Sequence, residues 1–165
     1  APWRAGLVVL AALSVAAVAV ALAGAVYDVS WDGQSYQQEA VAQLAHRWVP
    51  FPRPEPLFLT EYGLQLIHYP KGAWFGEALV YALTGRIETG KALHLILALA
   101  SLCLVAGFLL RLPRIRALPA LGLALVLCAN PVILCQTWTF YVDGILASTL
   151  TAYLAVLGLY WLRPG

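Results

Sequence analysis

Asp28 and Asp32 stand four residues apart in Tyr27-Asp28-Val29-Ser30-Trp31-Asp32-Gly33, directly after a long apolar run. Carboxylates so placed can do two kinds of work. One can act as general base on an acceptor hydroxyl. A set of them can hold a hard divalent cation, Mg or Mn, which in turn binds phosphate oxygens. A third acid, Asp143, follows another apolar stretch. The candidate catalytic acids are therefore Asp32, Asp28 and Asp143, with Asp32 and Asp143 as the candidate metal ligands. The cations suited to a phosphate leaving group are Lys71, His68, Arg86 and Lys91, since positive charge stabilises the negative charge that develops there. Each has a plainer alternative. An Asp just past an apolar run can simply cap a helix, a Lys or Arg can anchor a headgroup, and Trp31, Trp48, Trp74 and Tyr36 fit an aromatic belt. Glu61 and Glu77 lack a close acidic partner in sequence and rank lower.

The elements that must position these groups are membrane elements. The chain has 165 residues, 62% hydrophobic and 11% charged, against about 25% charged in a soluble domain. Mean hydropathy is +0.79. Crossing the hydrocarbon core takes about 20 apolar residues. Four runs approach that length: Leu7–Val26, Ala92–Leu110, Ala117–Cys135 (interrupted by Asn130-Pro131) and Gly144–Leu162. The expected fold is all-α, a polytopic membrane helix bundle with about four transmembrane helices and two interfacial helices in a large first extracytoplasmic loop, residues 27–91. Residues 1–165 read as a single transmembrane domain. With no Met even at position 1, the chain is expected to be the N-terminal piece of a longer protein. Cys103, Cys128 and Cys135 lie in apolar runs and read as buried, inert thiols. No basic cluster is interleaved with aromatics, so nucleic acid is not an expected partner; the bilayer is.

Charge sets the expected orientation. Gly72–Leu83 holds Glu77 near its middle and is about 18 Å long as a helix, too short to span, and a carboxylate at mid-membrane is costly. If it does not cross, Arg4, Arg111, Arg114, Arg116 and Arg163 share one side, and all eight acids share the other. Cytoplasmic loops carry the excess of Lys and Arg. The acids then face outward, as in a bacterial inner membrane protein with its active face outside. Arg4 with Ala21-Leu22-Ala23 also has the form of a signal peptide, but the length of the run favours an anchor.

Within the outer loop, Asp32-Gly33 reads as a turn and Ser35 with Gln38 as a capping box. Tyr36, Ala40, Val41, Leu44, Ala45 and Trp48 then form one apolar helical face, opposite Gln37, Gln38, Glu39, Gln43, His46 and Arg47. That pattern fits a helix lying in the interface. Pro50, Pro52, Pro54 and Pro56 end it. Thr84-Gly85 ends the second helix, and Tyr141–Gly144 reads as a short second outer loop.

At these residues the chain resembles membrane glycosyltransferases of the GT-C architecture. A first span leads to an acid at the start of a large outer loop, here Asp28 and Trp31-Asp32-Gly33, and interfacial helices follow, here Ser35–Trp48 and Gly72–Leu83. Asp143 sits where that family often carries a second acid. His68-Tyr69-Pro70-Lys71-Gly72 and Asn130-Pro131 also resemble stretches of bacterial members. The resemblance implies transfer of a sugar from a polyprenyl-phosphate donor to a glycan, lipid or protein acceptor on the extracytoplasmic face, with Asp32 the nearest match to the family's catalytic Asp. Such enzymes have more spans than this chain. Two other readings compete: a non-catalytic membrane subunit whose outer loop docks a partner, and a small transporter. The latter would want ionisable groups inside the spans, where His94 is the best case.

Overall fold

The structure, a computed structural model, describes residues 2–58 and 60–162. Arg163 of the expected basic side lies outside the described residues. Every regular element among the described residues is helical. They are α1 (Pro2–Ala25), a π-helical turn Gly33–Gln37, α2 (Gln38–Ala45), α3 (Gly63–His68), α4 (Gly72–Thr84), a 3₁₀ turn Ile87–Lys91, α5 (Ala92–Leu109), α6 (Ala117–Cys128), α7 (Pro131–Gln136) and α8 (Val142–Trp161).

Three helices are long and apolar enough to cross a membrane: Trp3–Ala25, Ile87–Leu109 and Val142–Trp161. They give the chain the character of an integral membrane protein. The run expected as its third crossing is divided. α6 has 12 residues, about 18 Å of helix against about 30 Å of hydrocarbon. Asn130 leaves helical geometry, its side chain accepts the Ile133 N–H, and Pro131 begins α7. Proline fits a first helical position because the N–H it lacks would be unpaired there anyway.

The chain divides into two compact units. The first comprises Ala1–Leu93 with Trp138–Tyr141. Here α4 packs on α2 and on the 3₁₀ turn, and the 3₁₀ turn packs on α1. Trp74, Leu66, Val41 and Phe140 are fully buried. The second comprises His94–Thr137 with Val142–Gly165. Its core joins Val105, Leu109, Ala120, Ala124, Cys128 and Ala155. Small residues let these helices approach closely where lipid supplies no hydrophobic drive.

Four local expectations are corrected. Helix starts at Trp31, not Ser35, so Asp32-Gly33 lies in the first turn of a helix. The cap is Ser30, whose Oγ accepts the Gly33 N–H at 3.2 Å, and Ser35 is interior. Asp143 is in the first turn of α8, not in a loop. Cys103 and Cys135, expected to be buried, are exposed, and Cys128 alone of the three is buried. On the polar face beside α2, Gln37 and Gln43 are buried while His46 and Arg47 are exposed. Gln43 accepts the Leu57 N–H at 2.7 Å, and Glu39 accepts from Gln43 at 2.8 Å and from the Thr60 hydroxyl at 2.7 Å. The proline-rich loop thus folds back over this face and takes up its hydrogen bonds. Two expectations match: α4 ends at Thr84, and Gly85 follows with φ +69°, the left-handed stop that glycine adopts without strain.

Candidate functional site

The predicted site residues separate into groups with different work. The first group is buried. A helix leaves its last four carbonyls without intrahelical donors, and cations near a helix C-terminus oppose its dipole. At the end of α1 the Arg86 guanidinium donates to the Gly24 carbonyl at 2.8 Å. Lys91 donates to the Val26 carbonyl and pairs with Glu88. Glu88 also accepts the Asp28 backbone N–H at 3.1 Å. Lys91 is fully buried, with its ammonium 5.9 Å from the centroid of the Phe140 ring. Both residues, expected as phosphate ligands, are placed here as the anchors that close α1 onto the 3₁₀ turn.

Asp28 is buried in the same knot. Its Oδ1 accepts the Ser30 N–H at 2.8 Å and its Oδ2 the Phe140 N–H at 2.7 Å. Its own carbonyl accepts from the Gln34 amide at 2.9 Å. A β-carbon at Gly33 would fall on this carboxylate, 2.6 Å from its Cγ and 2.5 Å from the Ser30 Oγ. The Trp-Asp-Gly sequence therefore needs its glycine for close approach. Asp28, expected as catalytic, is occupied in holding the backbone.

The second group is reachable. Asp32 is half-buried at the helix start, and the Tyr36 hydroxyl donates to its Oδ2 at 2.9 Å. Four residues of helix put the two side chains on one face. The Tyr36 ring is 5.1 Å from that of Tyr69 and 6.2 Å from that of Tyr62. Tyr69 stacks on Trp74 at 6.4 Å, and the buried Trp74 indole donates to Gln37. Burial, the Tyr69 side chain and the Asp32 carboxylate together raise the Tyr36 phenol well above its ordinary range. Tyr36 therefore stays a donor to Asp32.

Lys71 closes this cluster. Its ammonium donates to the Ile67 carbonyl at 2.7 Å and the Tyr69 carbonyl at 3.0 Å. It lies 5.8 Å from the Trp74 ring centroid and 6.0 Å from that of Trp48, in range of cation–π attraction. Burial lowers its pKa below the usual 10.5. His68 is exposed at the C-terminal end of α3, where a cation suits the dipole.

Asp143 belongs to the second unit, exposed at the N-terminus of α8, and accepts from the Gln136 amide at 3.3 Å. Among the described residues, no three His, Cys, Asp or Glu side chains gather into a set that could hold a metal ion. The residues around Asp32 do not make a cation site by themselves. Sequence reasoning missed Glu88 and Tyr69. The Lys91 three residues on is a local signal for Glu88, but its bond to the Asp28 N–H and the approach of Tyr69 to Tyr36 span 60 and 33 residues and have none. Compared with protein-family models, with curated proteins and with solved structures, the chain finds no match in any of the three.

Proposed function

We propose that the chain forms the catalytic edge of a membrane glycosyltransferase that uses a polyprenyl-phosphate sugar. The observation that carries the reading is the Asp32–Tyr36–Tyr69 chain beside the caged Lys71, on the segment that follows the first apolar helix. Asp32 is the base. It takes the proton of an acceptor hydroxyl as that oxygen bonds to the anomeric carbon. The bond from that carbon to the carrier phosphate breaks, and the phosphate leaves with the electron pair. Lys71 is the cation in this cluster to meet that charge, since two of its N–H groups already fix its position. Trp31, exposed beside Asp32, is a face on which a sugar ring can stack. By the charge bias of the loops, this edge faces away from the cytoplasm, with Arg4, Arg111, Arg114 and Arg116 on the other side.

The test is sugar transfer from a short-chain polyprenyl-phosphate donor, measured in reconstituted membranes with wild type and Asp32→Asn. Loss of a general base lowers turnover by about 10²–10⁴-fold, with thermal stability retained. Unchanged turnover in a folded Asp32→Asn protein defeats the assignment.

A further inference from the structure

We infer that the open cleft between α2 and α4 seats an acyl chain of a bilayer glycerophospholipid, at a site that adjoins the Lys71 cage through Trp48. The cleft measures about 250 Å³ and is lined by Leu44, Ala45, Trp48, Phe75, Leu79 and Ala82, with Ala78 at its base. All of these belong to the first unit.

Three observations point to lipid as the occupant. First, α4 turns an apolar stripe outward. Trp74, Glu77 and Ala78 face inward and are buried, whereas Phe75, Leu79 and Leu83, at i, i+4 and i+8, are exposed. An apolar helical stripe is covered by protein or by lipid. Its 13 residues reach about 20 Å, too little to span, which leaves the interface as the place where lipid covers one side. Secondly, the face continues beyond the helix: Phe51, exposed, stacks on Phe75 at 6.0 Å. The same unit carries α1, whose apolar side chains are exposed along most of its length, so the unit is anchored where lipid is the surrounding solvent. Thirdly, the Trp48 side chain is buried, and its indole N–H meets no hydrogen-bond acceptor among the described residues. Buried donors are nearly always paired. The ester carbonyl of a glycerophospholipid offers an acceptor at the depth where indoles settle.

The occupant is thus amphipathic, a chain for the cleft and a carbonyl for the indole. A peptide segment of a partner protein would match the apolar face but is not needed to cover a surface already at the membrane.

Wild-type protein and Trp48→Phe are reconstituted into vesicles of phosphatidylcholine, either plain or brominated in the middle of the acyl chain. The emission of Trp48 is the difference between the two proteins. The expected result is at least a twofold fall of that difference in brominated lipid, reversed by Ala82→Phe, which fills the cleft from its exposed rim. Ala82→Leu is the milder filling and should reverse it in part. Equal Trp48 emission in the two lipids overturns the inference, as does quenching that survives both fillings. Neither result bears on Asp32→Asn turnover, so this inference and the enzyme reading fail separately.

Discussion

The Asp28 carboxylate accepts the Phe140 backbone N–H at 2.7 Å across 112 residues of chain. That bond brings the segment Trp138–Tyr141 to the loop that leaves α1. It also gives the first acid of the Tyr27–Gly33 stretch a role distinct from that of the second.

Asp28→Asn keeps one acceptor and must turn an amide N–H toward a backbone donor. Hydrogen bonds to charged groups contribute about 1.5–3 kcal/mol each. We expect a loss of about 2–4 kcal/mol in unfolding free energy, read from denaturation in mild detergent. Asp32→Asn, with its half-exposed carboxylate and single Tyr36 bond, should cost about 1 kcal/mol or less. Equal losses would show that Asp28 is not the anchor.

Gly33→Ala places a methyl group against a carboxylate pinned by two backbone N–H groups. Overpacking of this kind costs about 1–3 kcal/mol. Gly72→Ala, where a β-carbon meets nothing within 4 Å, should be neutral or slightly stabilising. The measurement is the shift in thermal midpoint for the two variants side by side.

Lys91→Met leaves Glu88 buried without its cation. Breaking such a pair costs about 3–5 kcal/mol, whereas replacing both members by apolar residues is often neutral. Lys91→Met should therefore unfold readily, and adding Glu88→Leu should recover part of the loss. The recovery will be incomplete, because Glu88 also accepts the Asp28 N–H and the Val26 carbonyl loses its donor.

Lys71 has a pKa lowered by burial from the usual 10.5. In the folded state its charge costs stability below the folded pKa. That cost fades as the pH rises through the folded value and is gone above 10.5, where the unfolded side chain is neutral too. The chain has two lysines, and Lys91 is fully buried, so among lysine amines methylation with a ¹³C label reports Lys71. The Lys71 methyl signals should titrate below 10.5. Trp74→Ala opens the cage and should move the midpoint back up toward that value.

Much of the membrane character was legible in the sequence, because it depends on composition and run length. Leu7–Val26, Ala92–Leu110 and Gly144–Leu162 correspond to α1, α5 and α8 within a few residues. Gly85 marked the end of α4 through a preference that belongs to one residue. The start of the outer-loop helix was misplaced because Ser35 with Gln38 has the form of a capping box, whereas Ser30, the cap that is used, has glycine three residues on. Only the close approach of Asp28 to Gly33 settles the choice.

The sequence by itself determined which segments are apolar enough for lipid, where glycine and proline punctuate them, and which side chains carry charge. Those properties are local. The tertiary structure alone decided which charges are used up. Arg86 and Lys91 satisfy the carbonyls at the end of α1 and Asp28 takes the Phe140 N–H, while Asp32 meets the Tyr36 phenol and Lys71 the Ile67 and Tyr69 carbonyls under the Trp74 ring. The physical reason is that an ionisable group is placed by partners distant in the chain. A carboxylate facing backbone donors and one facing a phenol are the same letter until the fold brings those partners to it.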